Sequence, residues 1–181
     1  EQDQIHFVKL LADKWASADE KQRKEIFDLC DKNLKGRSQP VKDATVEALP
    51  KMNGGEKDKD AETATKLLVD ERGRKTTEEN AQHFGNVCRA IGKLHHPKGM
   101  PVLLKLLNYK DFDVIAAAAE GLGGYREAGI EVKREIVGEL LKIYTDAVNA
   151  VNGNPRDNNL KDRLGKIRSA GVSNYNVHQF D

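Results

Sequence analysis

Hydrophobic residues recur along most of this chain at spacings of three and four, the period of a helix that buries one face. The pattern is clearest within residues 95–125, where it predicts two short antiparallel helices over residues 98–108 and 113–123. Four consecutive alanines at 116–119 allow another helix to approach closely, because alanine is small and has no side-chain conformations to lose. One such pair cannot bury its apolar surface alone, so we expect further pairs beside it.

The same period predicts helices along the rest of the chain. They cover residues 3–16, 18–34, 40–52, 61–72, 77–94 and 130–151, and a last helix begins at Pro155. Alternating strand patterns are absent from the sequence. We therefore expect an all-α protein of about eight helices in one domain, residues 1–181. Residues 1–37 form an N-terminal helix pair, 38–125 the repeats, 126–171 an elongated C-terminal pair, and 172–181 a tail that is either extended or disordered.

Side chains at the predicted helix boundaries indicate how the helices begin and end. Ser17 with Glu20, and Thr76 with Glu79, have the spacing of capping boxes. Asn154 is predicted to cap the helix that Pro155 starts. Pro50 should tighten or kink the end of its helix.

A repeated phrase connects three of these helices. The ends of three helices have similar sequences, at residues 48–52, 90–94 and 121–125. In the first and third of these helices the similarity extends further back: a Val is followed three residues later by Ala, four residues after that by Ala or Gly, and then directly by Leu. Residues 97–125 resemble a HEAT repeat, a member of the armadillo-like helical-repeat families. The matching positions are Pro101, Leu103, Leu104, Leu106, Leu107, Asp113, Val114, Ala117, Ala118, Leu122 and Gly123. Where that family often has an arginine, this chain has Ile115 in one repeat and Lys42 in another.

The resemblance implies a right-handed α-α superhelix, or solenoid, of antiparallel helix pairs with a groove for partners. It implies no particular reaction, because a fold does not fix a function.

Composition and charge narrow the classes of function. The chain has 30 basic and 29 acidic residues, a balance that favours neither nucleic acid nor an anionic membrane as partner. Apolar runs are too short to span a bilayer, so we expect a soluble protein without membrane insertion. The chain begins at Glu1, which fits an exported protein that has lost its signal peptide as well as a trimmed chain. A mature exported form, periplasmic or extracellular, is slightly favoured over a cytoplasmic one.

Four groups of residues are candidates for chemical sites. His95 and His96 lack the convergent ligands of a zinc site and are interpreted as residues at a helix C-terminus. Glycines at 121–124 follow no strand and are interpreted as a helix C-cap, not a phosphate loop. The basic residues at 72, 74 and 75 are interpreted as a solvated loop. Cys30 and Cys88 are expected to be buried free thiols.

We therefore predict a non-enzymatic scaffold that binds a protein or peptide on one face of the solenoid, with no catalytic residue, cofactor or metal. Polar and aromatic residues beside the apolar stripes are the predicted partner-binding set: Gln82, Asn86, Arg89, Lys93, Tyr109, Phe112 and Glu120. Arg89, Tyr109 and Phe112 are the expected anchors, because arginine and aromatic side chains often carry binding energy. Two alternatives stay open: a HEAT-like enzyme or enzyme accessory resembling bilin lyases or DNA glycosylases, and a structural domain of a larger protein.

Overall fold

A computed structural model describes residues 1–53, 57–74, 77, 79–107, 109, 111–123, 125 and 130–174. Side chains are described for these residues except 57, 58, 112, 113, 130–137, 139, 166 and 169–174. In this part of the chain the α-helices are α1 Gln2–Lys14, α2 Glu20–Lys35, α3 Gln39–Ala48, α4 Lys57–Arg72, α5 Ala81–Leu94, α6 Met100–Leu106, α7 Phe112–Gly123, α8 Ile130–Gly153 and α9 Asn158–Asn174. Two 3-10 helices, Trp15–Ser17 and Leu49–Lys51, follow α1 and α3.

The expected all-α class is confirmed, because the described residues contain helices and no strand. Nine α-helices are described, one more than the predicted number of about eight, and each lies on a stretch with a helical hydrophobic period. Helix α4 begins at Lys57, four residues before its predicted start. Residues 175–181, most of the predicted tail, lie outside the described residues.

The N-terminal cap of α2 differs from the predicted one. Asp19 accepts a hydrogen bond from the Gln22 backbone N–H at 2.8 Å, and the Gln22 side chain accepts one from the Asp19 N–H at 2.9 Å. The predicted pair, Ser17 with Glu20, is wrong, because Ser17 still belongs to the 3-10 helix that extends α1. Its hydroxyl donates to the Lys14 carbonyl at 2.8 Å.

Helix α5 also begins later than predicted. Asn80 is its N-cap and accepts a hydrogen bond from the His83 N–H at 3.1 Å, so the helix starts at Ala81 and not at residue 77. Thr76, half of the predicted capping box, lies outside the described residues. The side chain of Thr77 is held by Glu71 instead, which removes it from the helix start.

At the C-terminal end, Asp157 takes the capping role predicted for Asn154. Its carboxylate accepts from the backbone N–H groups of Asn159 and Leu160, and α9 therefore begins three residues after Pro155. The prediction for Pro50 is confirmed: the chain tightens there into the 3-10 helix Leu49–Lys51.

The helices pack in a regular order. The odd-numbered helices follow one another in space: α1 packs against α3, α3 against α5, α5 against α7, and α7 against α9. Each even-numbered helix packs against the odd-numbered helix that follows it, and α2 also contacts α4. One continuous apolar core runs through these contacts, with Trp15, Phe84 and Leu122 among its fully buried side chains.

The closest approach is between α5 and α7. A Cβ on Gly92 would lie 2.1 Å from the Gly121 carbonyl oxygen, and a Cβ on Gly121 would lie 2.6 Å from the Cys88 carbonyl oxygen. Gly121 is therefore not part of a C-cap as predicted, because it lies inside α7 where the two backbones touch. The neighbouring alanines Ala117, Ala118 and Ala119 are buried, as expected for a helix that other helices approach closely.

Among the described residues, no helix combines the length and the apolar character that crossing a membrane requires.

Candidate functional site

A cleft of about 490 Å³ lies between α1, α3 and α5 and contains several of the residues predicted as partner contacts. Its apolar surface comes from Ile5, Pro40, Ala44, Val46, Pro50 and Ala90. Its polar surface comes from Lys9, Asp43, Glu47, Asn86, Arg89 and Lys93. An open cleft with an apolar floor and a few polar groups has the composition of a ligand or peptide site.

Helical periodicity explains why these side chains face one another. On α5, Asn86, Arg89 and Lys93 are spaced i, i+3 and i+7, which places them on one stripe beside the buried stripe of that helix. On α3, Asp43 and Glu47 are four residues apart and also lie on one stripe. Because α3 packs against α5, the two stripes become opposite walls of the cleft.

Most of the charged side chains at the rim have an ion-pair partner, either at the rim or beside it. The Lys9 ammonium lies 4.0 Å from a Glu47 carboxylate oxygen, and both side chains are more than half exposed, so this pair contributes little to stability. Arg89 Nε donates to a Glu120 carboxylate oxygen at 2.6 Å and thereby links α5 to α7. Lys93 is exposed, and no ion pair joins its ammonium to another described side chain. It is the rim cation that is available to a partner's carboxylate.

A buried polar cluster begins directly below Asp43. His83 is 1% exposed, and its ring lies between two carboxylates. Nδ1 donates to Asp43 at 2.5 Å, and Nε2 donates to Glu71 at 3.0 Å. Ionised carboxylates only accept hydrogen bonds, so a ring placed between two of them favours the doubly protonated imidazole. Burial lowers the pKa of His83, but the hydrogen bonds to Glu71 and Asp43 outweigh burial, and the pKa is raised.

Glu71 is the centre of the cluster and is fully buried. One of its oxygens accepts from His83 and from the Thr77 hydroxyl, both at 3.0 Å, and lies 3.6 Å from the Lys42 ammonium. Arg74 Nε lies 3.0 Å from the other oxygen, an ion pair without the alignment of a hydrogen bond. Burial raises the pKa of Glu71, but the contacts with His83, Lys42 and Thr77 outweigh it, so the pKa is lowered.

The cluster ties together α3, α4, α5 and the segment between α4 and α5. It corrects the interpretation of residues 72–75 as a solvated loop, because Arg74 is only 27% exposed and also donates to the Leu34 carbonyl at 3.2 Å. Lys75 lies outside the described residues. The cluster therefore fixes the positions of its buried charges, and of the protons on His83, beneath the α3 wall of the cleft.

The structure brings four of the predicted partner-binding residues together. Asn86, Arg89 and Lys93 line the cleft, and Glu120 joins them through its hydrogen bond to Arg89. Gln82 is exposed on α5, one turn before Asn86, and does not line the cleft.

The two predicted aromatic anchors are placed differently. Tyr109 is half-buried, and its ring stacks on Phe84 with centroids 5.9 Å apart; neither residue lines the cleft. Tyr109 therefore packs against the apolar core and does not form part of the cleft. The side chain of Phe112 lies outside the described residues.

Sequence reasoning missed the α1 and α3 sides of the cleft. Ile5, Lys9, Asp43 and Glu47 are not among the predicted site residues. The sequence does contain a signal for the α3 residues, because Asp43 and Glu47 lie beside the apolar stripe of their helix, as the predicted α5 residues lie beside theirs. No such local signal identifies Glu71 and His83, since their roles depend on contacts between three helices.

The remaining candidates have structural roles. His95 is the C-cap of α5 in the left-handed conformation, with φ 52°, and the His96 carbonyl accepts a hydrogen bond from the Tyr125 hydroxyl at 2.8 Å. No cluster of three or more potential metal ligands occurs within the described part of the chain. Cys30 and Cys88 are buried free thiols, as predicted. Burial raises the pKa of both to about 12, which keeps them as unreactive thiols.

Comparisons with known proteins do not assign a family. No family model matches the chain, and the search of curated proteins found no match. A crystal structure of an engineered protein is similar to 92% of this chain and 90% of its own, with 18% sequence identity and a TM-score of 0.42. Similarity at that level does not establish a shared fold. The HEAT-repeat resemblance therefore stays an expectation from the sequence.

Proposed function

We propose that this protein is a non-enzymatic scaffold that binds a protein or peptide in the cleft between α1, α3 and α5. The observation that carries the proposal is the cleft itself, which joins an apolar floor to a charged rim. Three of the residues predicted from the sequence as partner contacts, Asn86, Arg89 and Lys93, lie on one of its walls.

We further propose that the helices form a solenoid of paired helices. The order of packing supports this architecture, because each odd-numbered helix contacts the next odd-numbered helix and each even-numbered helix contacts its successor. In such a stack a row of helices presents an extended surface, and solenoid proteins use that surface for binding. The cleft lies in the row formed by α1, α3 and α5.

The rim indicates the chemistry of the partner. Lys9 is neutralised by Glu47, Asp43 by His83, and Arg89 by Glu120, whereas Lys93 has no such partner among the described residues. In a bound peptide, an apolar side chain would fill the floor of the cleft, and an acidic group next to it would pair with Lys93. A polyanion is disfavoured, because the rim has carboxylates as well as cations and no uniformly basic surface.

The test is selection of peptides from a displayed random library on the full chain, followed by titration of the selected peptides. We expect sequences with an apolar residue close to Asp or Glu. Lys93→Glu should weaken their binding by roughly tenfold or more, because a cation becomes an anion facing the peptide carboxylate. Lys105→Glu is the matched control, since Lys105 is an exposed lysine on α6, outside the cleft.

Equal weakening by both variants would show that only net charge matters and would contradict a specific cleft. Selected peptides that bind the Lys93→Glu variant as well as the parent protein would place the binding surface elsewhere. Affinity capture from the native cell lysate, compared between the parent protein and this variant, then identifies the natural partner.

A further inference from the structure

The imidazole of His83 connects the wall of the cleft to the buried cluster beneath it. Asp43 lines the cleft with a side chain that is 43% exposed, and one of its carboxylate oxygens accepts the Nδ1–H of His83 at 2.5 Å. On the opposite edge of the ring, Nε2 donates to Glu71, which is fully buried. A change in the charge of His83 therefore alters the surroundings of a carboxylate that a ligand in the cleft would meet.

The charged groups around this ring come from the elements packed against α5. Helix α3 places Asp43 on Nδ1, and α4 places Glu71 on Nε2. Lys42 of α3 and Arg74, which follows α4, are ion-paired with Glu71. Helices α6 and α7 also pack against α5, but within the described residues no ion pair joins either of them to His83. Histidine is the residue type in this group that ordinarily changes its charge near neutral pH, so the ring is where the charge of the cluster changes.

Loss of a proton to solvent leaves the ring with one N–H for two carboxylates. Glu71 is fully buried and cannot be hydrated, whereas Asp43 is partly exposed in the cleft, so the remaining N–H is better placed at Glu71. Asp43 then keeps the hydrogen bond from Gln39 Nε2 at 3.0 Å and loses the one from the ring. Whichever nitrogen keeps the proton, Asp43 loses the positive charge beside it, and the wall of the cleft becomes more negative.

We propose that His83 makes peptide binding in the cleft depend on pH: acidic peptides bind more tightly while the ring is protonated than after it has lost its proton. This inference rests on the proposed peptide site. While the ring is protonated, Asp43 is neutralised and Lys93 on the opposite wall can pair with a ligand carboxylate. After the proton is lost, Asp43 is an uncompensated anion in the same cleft and repels that carboxylate.

Two titrations set the direction of the effect. Burial lowers the pKa of His83, but the hydrogen bonds to Glu71 and Asp43 outweigh it, so the ring loses its proton above the ordinary value of 6.5. The carboxylates of a peptide are ionised above about pH 5. Affinity should therefore be highest between about pH 5 and pH 6.5 and should fall as the pH rises through the raised pKa of His83. Because linkage is reciprocal, the protein must take up protons when a peptide binds in the range where the ring titrates.

Isothermal titration calorimetry of the full chain measures both effects. The probe is a selected acidic peptide with blocked termini and no histidine, titrated at pH values from about 6 to about 9. For the parent protein the Kd should rise about three- to tenfold across this range, the effect expected of one new charge in the same cleft. Titrations in buffers with different heats of ionisation should show that protons are taken up on binding.

His83→Gln removes the titrating ring and should make the Kd independent of pH over this range, with no proton uptake. His6→Gln is the matched control, because His6 is an exposed histidine on α1, next to Ile5 of the cleft, and is not part of the cluster. This variant should keep the pH dependence of the parent protein. Circular dichroism at each pH checks that the variants are folded.

Asp43→Asn is a second test that does not depend on the stability of the His83→Gln variant. The amide keeps the shape of the carboxylate and removes its charge, so the pKa of His83 should fall. The pH at which affinity declines should fall with it. Proton NMR of the His83 ring measures the pKa in both proteins. A decline in affinity at an unchanged pH, with a lowered pKa of His83, would contradict the coupling.

Two further results would overturn the inference. They are a parent affinity that is constant across the pH range and a pH dependence that His83→Gln retains. The peptide site itself would survive both results, because it is tested by Lys93→Glu at a single pH. Peptides that bind Lys93→Glu as well as the parent protein would contradict the proposed function instead, so the two failures are distinguishable.

Discussion

His83 is a buried imidazole that bridges two carboxylates, and its protonation is coupled to the stability of the fold. Replacing a buried ion pair with apolar residues is often harmless, but removing one partner is costly because the other charge stays buried. Here removal of the imidazole would leave Glu71 with Lys42, Arg74 and Thr77, and would leave Asp43 without its bond from α5.

The first prediction concerns pH. Folding raises the pKa of His83, so its stabilising effect is complete below the ordinary value of 6.5 and is lost as the pH rises through the raised value. Folding lowers the pKa of Glu71, so its effect is complete above 4.5 and is lost as the pH falls through the lowered value. The cluster should therefore stabilise the fold most between about pH 4.5 and pH 6.5.

His83→Gln keeps a polar side chain but cannot carry the charge. In urea denaturation it should be about 2 kcal/mol less stable than the parent protein just below pH 6.5, the size expected for hydrogen bonds to charged groups. The difference should shrink as the pH rises through the raised pKa of His83. A difference that stays constant as the pH rises would contradict a charged imidazole in the folded protein.

A second prediction at the residue scale concerns the contact between α5 and α7. Gly92→Ala should reduce the free energy of unfolding by about 1–3 kcal/mol or more, because the new Cβ would meet the Gly121 backbone at 2.1 Å. Gly138→Ala is the control: a Cβ at this position in α8 would have no atom of another element within 4 Å among the described residues, and alanine there should stabilise by about 0.5–1 kcal/mol. Similar effects of both substitutions would contradict the close approach of the backbones.

At the scale of elements, the capping of α2 is a local device with a measurable effect. The side chains of Asp19 and Gln22 each satisfy a backbone N–H that the first turn of a helix leaves free. The structure places this device two residues after the position predicted from the sequence, because the 3-10 helix Trp15–Ser17 comes between α1 and α2.

Asp19→Ala should lower the free energy of unfolding by about 1 kcal/mol, the usual effect of losing an N-cap. Ser17→Ala is the matched comparison, since it removes the exposed hydroxyl of the cap predicted from the sequence and should change stability by less than about 0.5 kcal/mol. Thermal denaturation of both variants checks the assignment. The reverse order of effects would mean that the helix begins at Ser17.

At the scale of the whole molecule, the proposed solenoid predicts that neighbouring helices determine stability more than distant ones. Helix α5 packs against four helices, α3, α4, α6 and α7, whereas α1 contacts α3 and the short 3-10 helices. In a stack of repeats, each unit is stabilised mainly by its immediate neighbours.

Amide hydrogen exchange should reflect this arrangement. The slowest exchange is expected in α5 and α7, which have neighbours on both sides, and faster exchange is expected in α1 at the end of the row. The measurement is exchange followed by mass spectrometry of peptic fragments under native conditions. Uniform protection from α1 to α9 would indicate a single cooperative core instead of a stack.

The sequence by itself determined the helical class and the position of most helices. Hydrophobic spacing is a local property, and residues such as Val8, Ala12 and Trp15 carry it within a few turns. The α5 stripe of Asn86, Arg89 and Lys93 was predictable for the same reason. Exact helix starts were less predictable, because Asp19 and Asn80 compete with nearby residues that could cap equally well.

The tertiary structure alone decided which apolar and polar groups are buried. Phe7 and Val8 are both apolar neighbours on α1, yet Val8 is 1% exposed and Phe7 is 52% exposed, because α3 covers one side of the helix and not the other. Glu71 and His83 look like surface residues in the sequence. They are buried because side chains of opposite charge from separate helices neutralise one another there. These residues are far apart along the chain, so no local sequence pattern predicts their pairing.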